Sequence, residues 1–245
     1  MNDRGFSLVE LLVVIAVLAL LAGIIIPAMA ISLETARAAT CSSNLRQLAA
    51  AALSYAGDHC GEFPWGMRIE GGELACWDFI VGNDGEPRPG LIWENIPECA
   101  DGRVLQCPSF IGGNANWRGD KFTGYNYNCS FIGKVEGESG GRERPAFLSQ
   151  IEAPARTALF GDGQFAGGAN KFMRAPLPDR AHDASGSGMR MAGTQGFRHR
   201  GRTNVAFADG HVESLAQPYR AGSEGFVSEG CGFLSPDNSL YSLAK

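Results

Sequence analysis

The 245-residue sequence predicts an α+β fold: a long N-terminal helix laid on a small antiparallel β-sheet with long glycine-rich loops. Three observations predict it. Residues 6–31 form an apolar run in which Glu10 is the sole ionisable side chain. From Leu45 onward, apolar residues recur at the i, i+3, i+4, i+7 spacing of an amphipathic helix. Beyond residue 57 the apolar runs become short and are separated by Gly- and Pro-rich stretches, as in strands joined by turns.

The first element is the helix. Its 26-residue apolar opening exceeds the roughly 20 residues needed to cross a hydrocarbon core of about 30 Å. Leu33, Ala36, Leu45, Leu48, Ala49, Ala52, Leu53 and Ala56 continue it, and Glu34, Arg37, Asn44, Arg46 and Gln47 supply a polar face. Gly57 and Asp58 form a stop. One helix over 6–56 would be about 75 Å long at 1.5 Å per residue. Pro27 marks an expected bend or point of local melting, and two helices broken there are the alternative.

The strand candidates are 77–81, 104–107, 125–132, 157–160, 204–208 and 211–215. Glycine-rich stretches at 82–90, 112–119, 133–145 and 161–196 lie between them, and there is no internal repeat. Asp209-Gly210 sits between the last two candidates and predicts a tight hairpin turn, because both residues tolerate positive φ.

Composition narrows the function. A net charge of −5 gives no basic footprint, which excludes nucleic acid as the expected partner. Arg198, His199, Arg200 and Arg202 read as a short solvated loop. Cysteines 41, 60, 76, 99, 107, 129 and 231 contain neither a CxxC pair nor a zinc-type Cys/His spacing. For an exported chain they predict disulfides of undetermined connectivity, with Cys41, inside the helix, left unpaired. Trp65, Trp77, Trp93 and Trp117 are too scattered for a binding surface and read as core and cap residues.

Three explanations compete for the N-terminus. A plain anchor is one. A secretory signal peptide is another, with Ala28-Met29-Ala30 as its cleavage site, but the apolar run is longer than the usual 7–15 residues and Glu10 stays unexplained. A carboxylate at the bilayer centre costs about 2.5–3.5 kcal/mol on insertion scales, so it calls for a partner. Gly5-Phe6-Ser7-Leu8-Val9-Glu10 before an apolar run resembles the prepilin processing signal of type IV pilins and type II secretion pseudopilins. The resemblance implies cleavage between Gly5 and Phe6 by a prepilin peptidase/methyltransferase, methylation of Phe6, and pairing of Glu10 with a neighbouring subunit's N-terminal amine. It also implies a pilin-like fold, other pilin-like subunits and an inner-membrane assembly platform as partners, and no cofactor. The expected divisions are a leader over 1–5, a membrane helix over 6–31, its amphipathic continuation over 32–57 and an extracytoplasmic body over 58–245. Arg4 before the apolar run places the leader in the cytoplasm.

A second resemblance lies at the C-terminal end. His199, followed after nine residues by Asp209-Gly210, is similar to the signature of a large pilin-like family. Cys41-Ser42-Ser43-Asn44-Leu45-Arg46-Gln47-Leu48, Cys107-Pro108-Ser109 and Tyr125-Asn126-Tyr127-Asn128 fit that family loosely. His199, Asp209 and His211, with Asp162, could converge on a metal if their strands are neighbours, and two imidazoles favour a transition metal over calcium. The simpler reading makes Asp209-Gly210 a turn to which His199 hydrogen-bonds, with Asp58, Asp162 and Asp179 as loop acids and no metal. No G-x-S-x-G or H-E-x-x-H motif is present. A structural filament subunit is thus expected, against a tethered or secreted binding or metal-binding protein with a conventional signal peptide.

Overall fold

The computed structural model describes residues 8–96, 103–110, 124–138, 141–165, 168–220 and 227–244. Gly5, Phe6, Cys99, Trp117 and the 112–119 loop lie outside the described residues. One helix, α1 (Leu8–Asp58), runs for 51 residues with Pro27 inside it. The expected melting at Pro27 is therefore not found. Proline removes one N–H and crowds the carbonyl four residues back, which belongs to Gly23, a residue with no side chain to add to the crowding.

The two halves of α1 differ in what they face. Leu12, Leu18, Ile24, Ile26 and Leu33 are all exposed, as are their apolar neighbours on every side of the helix. From Cys41 onward burial follows one face: Cys41, Asn44, Leu45, Leu48, Ala49, Ala52, Tyr55 and Ala56. That face lies on a five-stranded sheet.

The body contains three sheets. β1 (Met67–Glu70), β2 (Glu73–Cys76), β3 (Phe79–Val81) and β4 (Pro87–Pro89) form an antiparallel meander in that order. The central sheet uses β5 (Asn126–Asn128), β6 (Ala158–Gly161), β7 (Phe172–Met173), β9 (Thr203–Phe207) and β10 (Val212–Leu215), ordered β10-β9-β6-β5-β7. Its pairings are antiparallel except β5 with β7. β8 (Gln195–Gly196) pairs with β11 (Cys231–Gly232) as a small third sheet. The chain is thus α+β, a long helix packed on antiparallel strands, an architecture consistent with a pilin-like fold. Leu45, Leu48, Trp77, Tyr127, Phe160, Val205, Phe207, Phe233 and Tyr241 belong to one buried cluster.

Several local expectations change. Residues 104–107 are not a strand: Arg103–Leu105 is a 3-10 turn, and Pro108 after Cys107 has no N–H to give a ladder. The Asp209-Gly210 hairpin is present, but as a three-residue loop. Gly210 N–H bonds to Phe207 O at 2.9 Å, Phe207 N–H bonds to His211 O at 2.9 Å, and only Gly210 in the loop has positive φ, at 90°. This is a type I turn closed by a left-handed glycine. The 161–196 segment is structured: besides β7 and β8 it holds α2 (Ser187–Ala192). Arg174, Asp183 and Arg190 are buried there, with Asp183 3.6 Å from Arg174 and 3.4 Å from Arg190. Glu138 completes the pairing of Arg174.

Candidate functional site

Two regions carry chemistry. The first is the start of α1. Glu10 stands in its first turn, at the beginning of an exposed apolar segment whose mean hydropathy reaches 3.1. This is one helix long and apolar enough to cross a membrane.

The second region lies where α1 first meets the body, and its residues come from four separate stretches of chain. Cys41 is the first buried residue of the helix. Cys107 follows the 3-10 turn, Asp162 directly follows β6, and His199 precedes β9. Because β6 and β9 are neighbours in the sheet, Asp162 and His199 meet beneath the helix. All four side chains are buried, and their ligating atoms lie within 4.8 Å of one another. The Cys41 thiol donates to Asp162 Oδ1 at 3.0 Å. His199 Nε2 stands 3.4 Å from Asp162 Oδ2 and 3.7 Å from Cys107 Sγ. On the other side of the ring, His199 Nδ1 donates to Glu34 Oε1 at 3.1 Å, and Ser109 Oγ donates to the same oxygen at 2.8 Å. Arg198 Nε donates to Cys107 Sγ at 3.3 Å, and its Nη2 reaches Asp162 Oδ1 at 3.2 Å. The backbone N–H of Asn204 bonds to Asp162 Oδ2 at 2.7 Å.

Electrostatics follow from this packing. Burial pushes the Cys41 thiol up. The neighbouring Cys41 thiol lowers Cys107 to about 5 against the opposing effect of burial, helped by His199 and Arg198. One thiolate is thus favoured, on the sulfur that faces the two cationic side chains. Burial disfavours a charged His199, but the hydrogen bonds to Asp162 and Cys107 win and raise it to about 10. Asp162 is likewise opposed by burial yet held below its ordinary value by Arg198 and His199.

A thiolate beside an imidazolium resembles an activated nucleophile. Here Cys107 is wholly buried. The two described surface clefts, one lined by Trp65, Lys134 and Arg142 and the other by Arg156, Thr157 and Ser239, share no residue with the cluster.

These positions revise the expected grouping. His199 bonds to Glu34 and Asp162, not to the Asp209-Gly210 turn. Asp209 and His211 pair with each other at 2.5 Å, part-exposed in the loop at the other end of β9, with the His211 ring stacked on Phe207. Asp162 lies just past β6, outside a strand as expected, but is buried. Of the basic cluster, Arg198 and His199 are inside while Arg200 and Arg202 are exposed. The described cysteines are free, without the expected disulfides among them; Cys41, expected to be unpaired, is free as well and lies beside Cys107. Cys41, Cys107, Glu34 and Arg198 were missing from the expected site. The buried position of Cys41 on the helix's apolar face and the Cys-Pro turn were the available signals.

An apolar helix of spanning length that continues into an α+β body is consistent with a pilin-like architecture. Residues 1–26 match the family described as the prokaryotic N-terminal methylation motif. The chain therefore carries the prepilin-type signal characteristic of type IV pilins and pseudopilins. It matches no curated protein and no solved structure.

Proposed function

We propose that the protein is a structural, non-catalytic subunit of a type IV pilus-like filament or type II secretion pseudopilus, assembled through its N-terminal helix. The observation that carries this reading is overlap: the methylation motif at residues 1–26 takes in the start of a 51-residue helix that begins, among the described residues, at Leu8. The first half of that helix offers apolar surface all round, as lipid and then neighbouring helices require, and the second half is welded to the body.

In this reading a prepilin peptidase/methyltransferase removes residues 1–5 and methylates Phe6. Residues 6–31 hold the subunit in the cytoplasmic membrane, 32–57 extend the helix, and 58–245 stand outside the cytoplasm. Glu10 meets the N-terminal amine of an adjacent subunit, because two unlike charges buried together offset much of each other's desolvation. An inner-membrane assembly platform and other pilin-like subunits are the partners. The bulk of the body, with its long 161–196 segment, favours a secretion or minor-subunit role. Glu10 speaks against the tip position, since tip subunits commonly lack that carboxylate.

Intact-mass and N-terminal peptide mass spectrometry of protein from its native membranes tests this. A methylated Phe6 at the N-terminus is expected. An N-terminus at Ile31 would mean an ordinary signal peptide and would end the filament reading.

A further inference from the structure

The cluster beneath α1 has the composition and spacing of a closed metal shell. We propose that Cys41, Cys107, Asp162 and His199 bind one divalent ion of the zinc class, in a structural site of two thiolates, one carboxylate and one imidazole that ties the long helix to the central sheet. This inference is independent of the filament role.

Geometry carries it. A tetrahedral zinc with Zn–S near about 2.3 Å, Zn–N about 2.05 Å and Zn–O about 2.1 Å places its S and N ligands about 3.55 Å apart, and its N and O ligands about 3.4 Å apart. Cys107 Sγ and His199 Nε2 are 3.7 Å apart, and His199 Nε2 and Asp162 Oδ2 are 3.4 Å apart. The remaining donor, Cys41 Sγ, lies within the same 4.8 Å group and bonds to the other Asp162 oxygen at 3.0 Å. In the proposed site its sulfur would exchange the hydrogen bond to Oδ1 for a bond to the ion.

The surroundings match a metal site as well as the ligands do. A ligating histidine characteristically donates its second ring N–H to a carboxylate, which fixes the ring and raises its basicity. Glu34 occupies that position on His199 Nδ1, and Ser109 holds Glu34 in turn. Asp162 is oriented by Asn204 N–H and Arg198. Two thiolates and the Asp162 carboxylate are balanced by the dication together with the Arg198 guanidinium, and the Glu34 carboxylate, less buried, faces Arg37 at 3.8 Å.

The donor set selects the ion. Two sulfurs and an imidazole suit zinc and exclude magnesium and calcium, which require oxygen. All four protein ligands are buried, which leaves no open position for a substrate. Loading therefore accompanies folding of the body onto α1. No sequence motif announces the site, because its ligands come from the helix, a turn and the ends of two strands.

The test uses the full chain, purified in mild detergent without chelators. Mass-spectrometric metal analysis should find about one zinc per chain. Cobalt(II) added to apo protein should give tetrahedral ligand-field bands with thiolate-to-metal charge transfer, which reads the ligand chemistry without any mutation. The C41S/C107S double variant should lose both signals, and E34Q should keep the spectrum while weakening affinity about 10–100-fold. Three results would overturn the proposal: a metal-free wild-type chain that gives no cobalt spectrum, a Cys41–Cys107 disulfide in non-reducing peptide maps of native protein, or unchanged zinc in the double variant.

Discussion

Replacing Asp162 by Asn removes one charge from the centre of the junction while preserving side-chain volume. Asp162 is wholly buried and faces Arg198 at 3.2 Å and His199 at 3.4 Å. Its loss leaves two cationic side chains with much less compensation. Removing one member of a buried ion pair costs about 3–5 kcal/mol, mostly because the partner charge stays behind. His199 can shed its ring proton and Asn can still accept the Asn204 N–H, so the lower end is expected. For a folded unit of 150–250 residues, 1 kcal/mol moves the unfolding midpoint by about 2–4 °C. The D162N chain should therefore melt about 6–12 °C below wild type.

Thermal unfolding by near-ultraviolet circular dichroism in detergent checks this, with a chelator in both samples so that a bound metal does not contribute. A shift under about 2 °C would refute the view that Asp162 holds a buried cationic pair.

Two further substitutions probe other parts of the molecule. Glu10→Ala should still be cut and methylated but should assemble poorly, and filament yield equal to wild type would end the proposed pairing with a neighbouring amine. Asp183 is opposed by burial but held below its ordinary value by Arg174, Ser130 and Ser185. A depressed folded pKa contributes stability that is present above the unfolded value of about 3.9 and lost as pH falls through the folded value. The unfolding midpoint should fall steeply below about pH 4 in wild type and less steeply in Asp183→Asn; superimposable pH profiles would show that the pair is not coupled to folding.

The helix was legible because two independent periodicities agree along one stretch: an apolar run long enough for a membrane, then a one-sided stripe from Leu45. The β9–β10 hairpin was legible from Asp209-Gly210, although the three-residue loop was not, since the dipeptide serves either turn. Other elements left little trace. β1 and β2 pair through Arg68, Glu70 and Glu73 as well as apolar residues, so no clean alternation marks them. The 161–196 segment looked like a loop because its order rests on buried arginines and Asp183, and polar burial has no periodic signature. The junction site failed to show for a related reason. Grouping His199 with Asp209 and His211 followed nearness in sequence, whereas β9 carries Asp209 and His211 to the far end of the strand and β6 brings Asp162 to the near one.

The junction also fixes which register α1 takes on the sheet. Its buried stripe repeats small residues at Ala49, Ala52 and Ala56 beside Leu45 and Leu48. Sliding such a helix by one turn, about 5.4 Å, would bring similar side chains over the same sheet at modest loss of apolar burial. Apolar packing alone therefore discriminates weakly between neighbouring registers. The bonds from Cys41 to Asp162 at 3.0 Å and from Glu34 to His199 at 3.1 Å do discriminate, because a one-turn displacement breaks both and strands buried charge. They also sit where the exposed apolar half of the helix gives way to the half packed on the body, the place where slippage or fraying would begin. Whatever pulls on the exposed half is thereby transmitted to the body at a fixed height along the rod.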